Sequence, residues 1–136
     1  MKTFVVSFAI LMGLASCSSP SLDDKTTMKV EALYGNGKKV EGTNFDAGNV
    51  VKGELVKAKF VLTNTGKIDL IIADVNPSCK CTVAKKPSDP IKPGGTYILE
   101  AGVNTKDLTA KKINKSISLT TNTADTKILT ITGKIN

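Results

Sequence analysis

From Met28 to the last residue, apolar and polar residues alternate with a period of two, and turn residues cut the alternation into short lengths. In "MKVEAL", Met28, Val30 and Ala32 face one way, Lys29 and Glu31 the other. "ELVKAKFVLTN" sets Val56, Ala58, Phe60 and Leu62 against Lys57, Lys59 and Thr63. "TYILEAGV" aligns Tyr97, Leu99, Ala101 and Val103; "KSISLTT" aligns Ile117 and Leu119; "KILTITGKI" sets Leu129, Ile131 and Ile135 against Thr130, Thr132 and Lys134. A helix needs apolar residues every three to four positions, so this pattern predicts half-buried strands with one wet face. The breaks are turn chemistry: "YGNGKK", "TNTGKID" with Asn64 and Gly66 available for positive φ, "KPSDPIKPGG" and "NTAD". Only "NTKDLTAKKIN" has room for a short helical turn. Short strands at regular spacing predict an all-β fold, one antiparallel β-sandwich of about seven strands over residues 28–136. Aromatic residues are 4% of the chain and Trp is absent, so the core is aliphatic rather than antibody-like.

The residues ahead of the first strand read differently. One Lys is followed by an uncharged apolar run, Phe4 to Leu14, and then by Leu14-Ala15-Ser16-Cys17. The run is too short to span a bilayer but suits the core of an export signal. The tetrapeptide resembles the lipobox of bacterial lipoproteins. That resemblance implies a signal peptide over residues 1–16 and a mature N-terminus at Cys17. Cys17 would carry thioether-linked diacylglycerol and an amide-linked acyl chain, the only side chain there able to form the thioether. Residues 17–27, including "SSPSLDDKTT", are polar and read as a flexible tether. Several acyl chains hold a protein to a membrane far more durably than one. The expected location is the cell envelope, with the outer membrane favoured over the inner and the membrane face left open.

The net charge is +7, carried by Lys without Arg, and Lys2 leaving with the leader would bring it to +6. Nucleic-acid binders combine Arg with interleaved aromatics, so no nucleic-acid partner is expected. There is no His, no nucleophile-elbow Ser, no Gly-rich phosphate loop and no paired acids in a plausible constellation. An enzyme is therefore not expected, nor a cofactor.

The chemistry-bearing stretch is "NPSCKCTV", Asn76 to Val83, with Cys79 and Cys81 one residue apart. Four readings are open. A closed zinc site wants four ligands, and with Cys17 acylated only two thiols remain; Cu(I) can be held by two. The established redox motif has two residues between its cysteines and sits at a helix N-terminus. An oxidising compartment favours a local disulfide. In a flat strand residues i and i+2 lie about 6.6–7 Å apart, at the bridging limit, so a bend near Pro77-Ser78 is required. The fourth reading is a pair of packed thiols.

An ordered set of landmarks accompanies the pair: Phe45-Asp46-Ala47-Gly48-Asn49-Val50, Gly53, Phe60 to Gly66, Leu70-Ile71-Ile72, Ser78-Cys79-Lys80-Cys81-Thr82, Pro90-Ile91-Lys92-Pro93-Gly94, Val103-Asn104-Thr105, Thr121-Asn122 and Gly133. Over roughly residues 40 to 136 the chain resembles the bacterial family known as domain of unknown function 1573. The resemblance implies an immunoglobulin-like module of the Hydin and major-sperm-protein type in a secreted protein or lipoprotein, and it brings no catalytic residue. Lys80 stands where the family commonly has Gly. With the oxidising compartment, the resemblance favours a structural corner closed by a Cys79–Cys81 disulfide.

The functional expectation is a lipid-anchored, non-catalytic binding or assembly module. Its partners would be membrane lipid through the acylated N-terminus and an envelope protein or glycan, with oligomeric state open. The candidate recognition loops are those of Asn76, Pro77 and Lys80 and of Lys85, Lys86 and Lys92, expected at one end of the sandwich. The alternative is a small envelope thiol-redox or Cu(I)-binding protein using Cys79 and Cys81.

Overall fold

The computed structural model describes residues 26–136. The expected leader of residues 1–16, the expected lipidation site Cys17 and the expected tether up to residue 25 lie outside the described residues. No helix occurs among the described residues, and none is long and apolar enough to cross a membrane.

Nine strands follow in order: β1 Met28–Leu33, β2 Lys39–Glu41, β3 Asn44–Val50, β4 Leu55–Asn64, β5 Ile72–Pro77, β6 Thr82–Ala84, β7 Thr96–Asn104, β8 Lys112–Thr121 and β9 Lys127–Ile135. They form two layers, a five-stranded sheet ordered β2-β1-β4-β7-β6 and a four-stranded sheet ordered β3-β9-β8-β5. The count exceeds seven because β2 and β6 are three-residue strands at the ends of their sheet. One pairing departs from the expected antiparallel pattern. The chain crosses between layers after β2, so β3 runs parallel to β9, with a bulge between Asp46 and Asn49. Gly48 occupies that bulge at φ 68°, and Asp46 Oδ1 accepts its N–H.

The alternating rows face inward as their period requires. Phe60, Leu62, Leu99, Val103, Ile117, Leu119, Leu129 and Ile131 are fully buried between the layers. Three rings enter this aliphatic core from one side, Tyr34 stacked on Phe45 at 4.8 Å and Phe45 edge-on to Phe60 at 6.3 Å. Two turn readings are corrected. Among the described residues no non-glycine has positive φ, and Gly66 has none either; Asn64 is the last residue of β4, fully buried, and turns the chain through side-chain bonds. The segment after β7 makes a single turn, Leu108 N–H to Thr105 C=O, and no helix.

The sandwich has two distinct ends. At the entry end the chain arrives at Thr26 and Thr27; Thr65 N–H donates to Thr27 C=O and the two hydroxyls lie 2.8 Å apart. These bonds hold the two residues ahead of β1 against the turn after β4. At the far end lie the β3–β4 turn, the corner between β5 and β6, and the loop after β7. Nine residues of β7 separate the ends by about 30 Å, at roughly 3.3 Å per residue.

Candidate recognition site

The cysteine pair sits where the chain leaves the four-stranded sheet at Pro77 and enters the five-stranded sheet at Thr82. Ser78 ends the strand by bonding Ser116, N–H to C=O at 2.8 Å, while its Oγ accepts the Ser116 N–H at 3.1 Å. The next residues turn tightly, Thr82 N–H donating to Cys79 C=O at 3.2 Å. This turn shortens the Cα–Cα distance of Cys79 and Cys81 to 5.3 Å and brings their sulfurs into bonding contact. The hydroxyl of buried Thr82 lies beneath them, 3.7 Å from one Sγ and 3.9 Å from the other. Lys80 stands exposed at the apex. Asn104 N–H donates to Cys81 C=O and ties the corner to β7.

Thr105, fully buried, organises the rest of the far end. Its Oγ1 donates to Glu54 C=O at 2.7 Å and accepts Gly53 N–H at 2.9 Å, so one hydroxyl closes the β3–β4 turn. Leu108 folds inward behind it and joins the core. A cleft of about 600 Å³ lies between this loop and the sulfurs, with Lys112 and Lys115 on its wall.

The predicted recognition residues do not share one end. Asn76, Pro77 and Lys80 belong to the far end. Lys85 and Lys86 lie on the strap descending from β6; Lys86 Nζ donates to Ala73 C=O and Lys85 C=O accepts from the Tyr97 hydroxyl. Lys92 is at the entry end, paired with Asp69 at 2.7 Å. The physical reason is β6: it pairs with the last residues of β7, whereas "KPSDPIKPGG" leads into the first, so the two loops occupy opposite poles. At the entry pole Asn64 is the pin. Its Nδ2 donates to Ile68 C=O and Ile91 C=O, both at 2.8 Å, and its Oδ1 accepts Gly66 N–H at 2.9 Å.

One feature escaped sequence reasoning. On the outer face of the five-stranded sheet, Leu55 and Val83 stand 53% and 70% exposed on either side of Gly102, with lysines around them. The signal was present: a glycine inside a strand marks a gap or a close approach. Here Lys59 bonds Glu100 at 2.9 Å, and that hydrogen bond, followed by the lysine's charge, holds the Glu100 carboxyl below its ordinary range. Among the described residues no three His, Cys, Asp or Glu side chains converge as metal ligands.

Two facing sheets with these crossings define an immunoglobulin-like β-sandwich. The seventh PapD-like domain of human CEP192 superposes with a TM-score of 0.57 at 10% identity, over 99% of this chain and 98% of that domain. A protein of unknown function from Porphyromonas gingivalis W83 superposes with a TM-score of 0.65 at 24% identity, over 86% of this chain. The chain spans about half of that protein's length, 51%. The secreted serine protease VesC of Vibrio cholerae matches over 66% of this chain but 21% of its own, at 13% identity and a TM-score of 0.53. These likenesses show the fold alone. No curated protein matches the chain. The chain belongs to the DUF1573 family of proteins of unknown function, whose sequence profile matches residues 38–135.

Proposed function

We propose that the protein is a lipid-anchored component of the bacterial cell envelope whose sandwich is a non-catalytic binding or assembly module. One observation carries the reading: the polarity of the domain. The lipobox-like Leu14-Ala15-Ser16-Cys17 and a polar segment precede an ordered domain that is entered at Thr26. The Cys79–Cys81 corner and the Thr105 loop lie at the opposite pole, about 30 Å away by strand rise. A tether fixed at one pole leaves the other to face a partner, and loops held on a rigid sandwich are suited to recognition. In an oxidising envelope the corner is closed as a disulfide.

Metabolic labelling with an alkyne fatty acid tests the anchor. The wild-type chain incorporates label and partitions into the detergent phase; Cys17→Ala does neither. An unlabelled wild-type chain in the aqueous phase would refute it.

A second reading, thiol exchange or Cu(I) binding at Cys79 and Cys81, is favoured by the Thr82 hydroxyl, placed to donate to a thiolate on either sulfur. Under that reading Cys79→Ser with Cys81→Ser abolishes function in a folded protein. Under the module reading the same pair lowers stability and leaves partner capture intact.

A further inference from the structure

We propose that the outer face of the five-stranded sheet beside β6 is a docking groove for an extended acidic segment of another protein, with one aromatic side chain of that segment lying over Gly102. The proposal rests on the binding-module reading and names the partner's chemistry.

Val83, Gly102 and Lys57 form one row across β6, β7 and β4. Because Gly102 lacks a side chain, Val83 and Lys57 stand across a gap of about 9.6 Å, two strand spacings, with the tip of the Leu55 side chain at its edge. The resulting groove encloses about 580 Å³ and has Leu55 and Val83 as its apolar walls. The fold does not require the gap. A Cβ on Gly102 would touch only Leu55 Cδ1, at 3.6 Å, and its φ is not positive. Gly133 differs: a Cβ there meets Gly48 O at 3.2 Å and Ala47 Cβ at 3.3 Å. Packing explains Gly133 and leaves Gly102 to be explained by an occupant.

Three observations select that occupant. An aromatic ring laid across a glycine is one device for covering it near a sheet edge, and Gly102 lies one strand in from the β6 edge. Among the described residues none is offered on this face: Tyr34, Phe45 and Phe60 stack at the core, and Tyr97 packs on the core with its hydroxyl on Lys85. The groove also runs beside β6, the end strand of its sheet, whose outer edge can add the backbone of a polypeptide. Finally, three lysines, Lys57, Lys59 and Lys80, line the groove against two carboxylates, Glu100 and Asp107; Glu100 bonds Lys59 and feels the Lys57 charge, while Lys57 and Lys80 have no carboxylate within 4.0 Å among the described residues. The complement is a carboxylate on either side of the aromatic anchor.

The chain contains no Trp, so a tryptophan-bearing probe reports its own burial. The test titrates the mature protein, in nonionic detergent, into acetyl-Glu-Glu-Trp-Glu-Glu-amide and follows the peptide's fluorescence. We expect a saturable blue shift. Binding should weaken at least tenfold with Gly102→Val, which fills the groove while suiting a strand, and with Lys57→Glu plus Lys80→Glu. Unchanged circular dichroism and denaturation midpoint confirm that these variants fold. No blue shift up to millimolar protein, equal binding by Gly102→Val, or equal binding of the Lys-for-Glu peptide would overturn the proposal. So would self-association abolished by Gly102→Val, which assigns the groove to a second copy, or wild-type binding to anionic vesicles lost in that variant, which assigns it to lipid. Capture from solubilised envelopes separates the two levels. A partner retained equally by wild type and Gly102→Val sinks the groove and spares the module; no partner captured by wild type sinks both.

Discussion

The entry end and the far end of the sandwich are each closed by one buried polar side chain, and they differ in how many segments that side chain holds. Asn64 bonds Ile68, Ile91 and Gly66 at once, and its own backbone exchanges hydrogen bonds with Gly94 and Gly95. The loops before β5 and before β7 thus close on a single amide. Thr105 serves only the β3–β4 turn, and the β5–β6 corner is closed separately by its sulfur contact. We expect the entry end to behave as one cooperative unit and the two parts of the far end, joined through the Asn104 N–H bond to Cys81 C=O, to loosen more independently. Such independence suits a pole that meets partners, because a local opening need not unfold the domain.

The largest effect is therefore expected at the entry end. Asn64→Ala leaves the part-buried Ile68 C=O and Gly66 N–H without their partner and the buried Ile91 C=O with only the Leu70 N–H, and should cost about 3 kcal/mol, at about 1–3 kcal/mol per buried group left unpaired. Guanidinium denaturation measures it, and a loss no greater than that of Thr105→Val would break the comparison. Thr105→Val keeps the shape and removes one hydroxyl, so about 2 kcal/mol is expected. Amide exchange should quicken around Gly53 and Glu54 and stay unchanged around Asn64. Replacing Cys79 and Cys81 by Ser opens a loop of three residues, for which chain entropy predicts about 1–2 kcal/mol. Exchange should quicken from Ser78 to Thr82 alone; protection lost at both poles would show that the ends are one unit after all.

The smallest effect belongs to the sheet face. Lys59 holds the Glu100 carboxyl below its ordinary range, first by hydrogen bond and then by charge. The stabilisation is present above the ordinary carboxylate value and is lost as pH falls through the lowered folded value. Both side chains are largely exposed, so the pair is screened and contributes little. Carbon-detected NMR of Glu100 should give a midpoint below that of an unpaired Glu, moving back toward the ordinary value in Lys59→Ala, where the Lys57 charge still acts.

How much of this was legible in the sequence depended on position in the sheet. β1, β4, β7, β8 and β9 read clearly, because both neighbours and a buried face force alternation, and their predicted inward rows are buried except Met28 and Tyr97, which are half-buried against the core. The strands that pattern alone did not reveal, β2, β3, β5 and β6, are the four at the ends of the two sheets. β2 has no buried residue and β5 only one, while the Gly48 bulge breaks the alternation of β3. An end strand is held by one neighbour, so its side chains carry a weaker pattern. The site fared similarly. Cys79, Lys80 and Cys81 were conspicuous as residue types. That the "KPSDPIKPGG" loop lies at the other pole follows from the register of β6 on β7, which no local pattern encodes. Asn64 and Thr105 sat in visible motifs, but a polar residue at a strand end reads as turn chemistry until its burial is seen.

The most direct test is the intact mass of the protein purified from its native membrane without reductant. An anchored chain with a closed far end has a mass starting at Cys17 and carrying diacylglycerol and one further acyl chain. It is lighter by two hydrogens than its reduced form, and neither Cys79 nor Cys81 alkylates before reduction. An unacylated chain that starts elsewhere, or free alkylation of both thiols, would contradict that account.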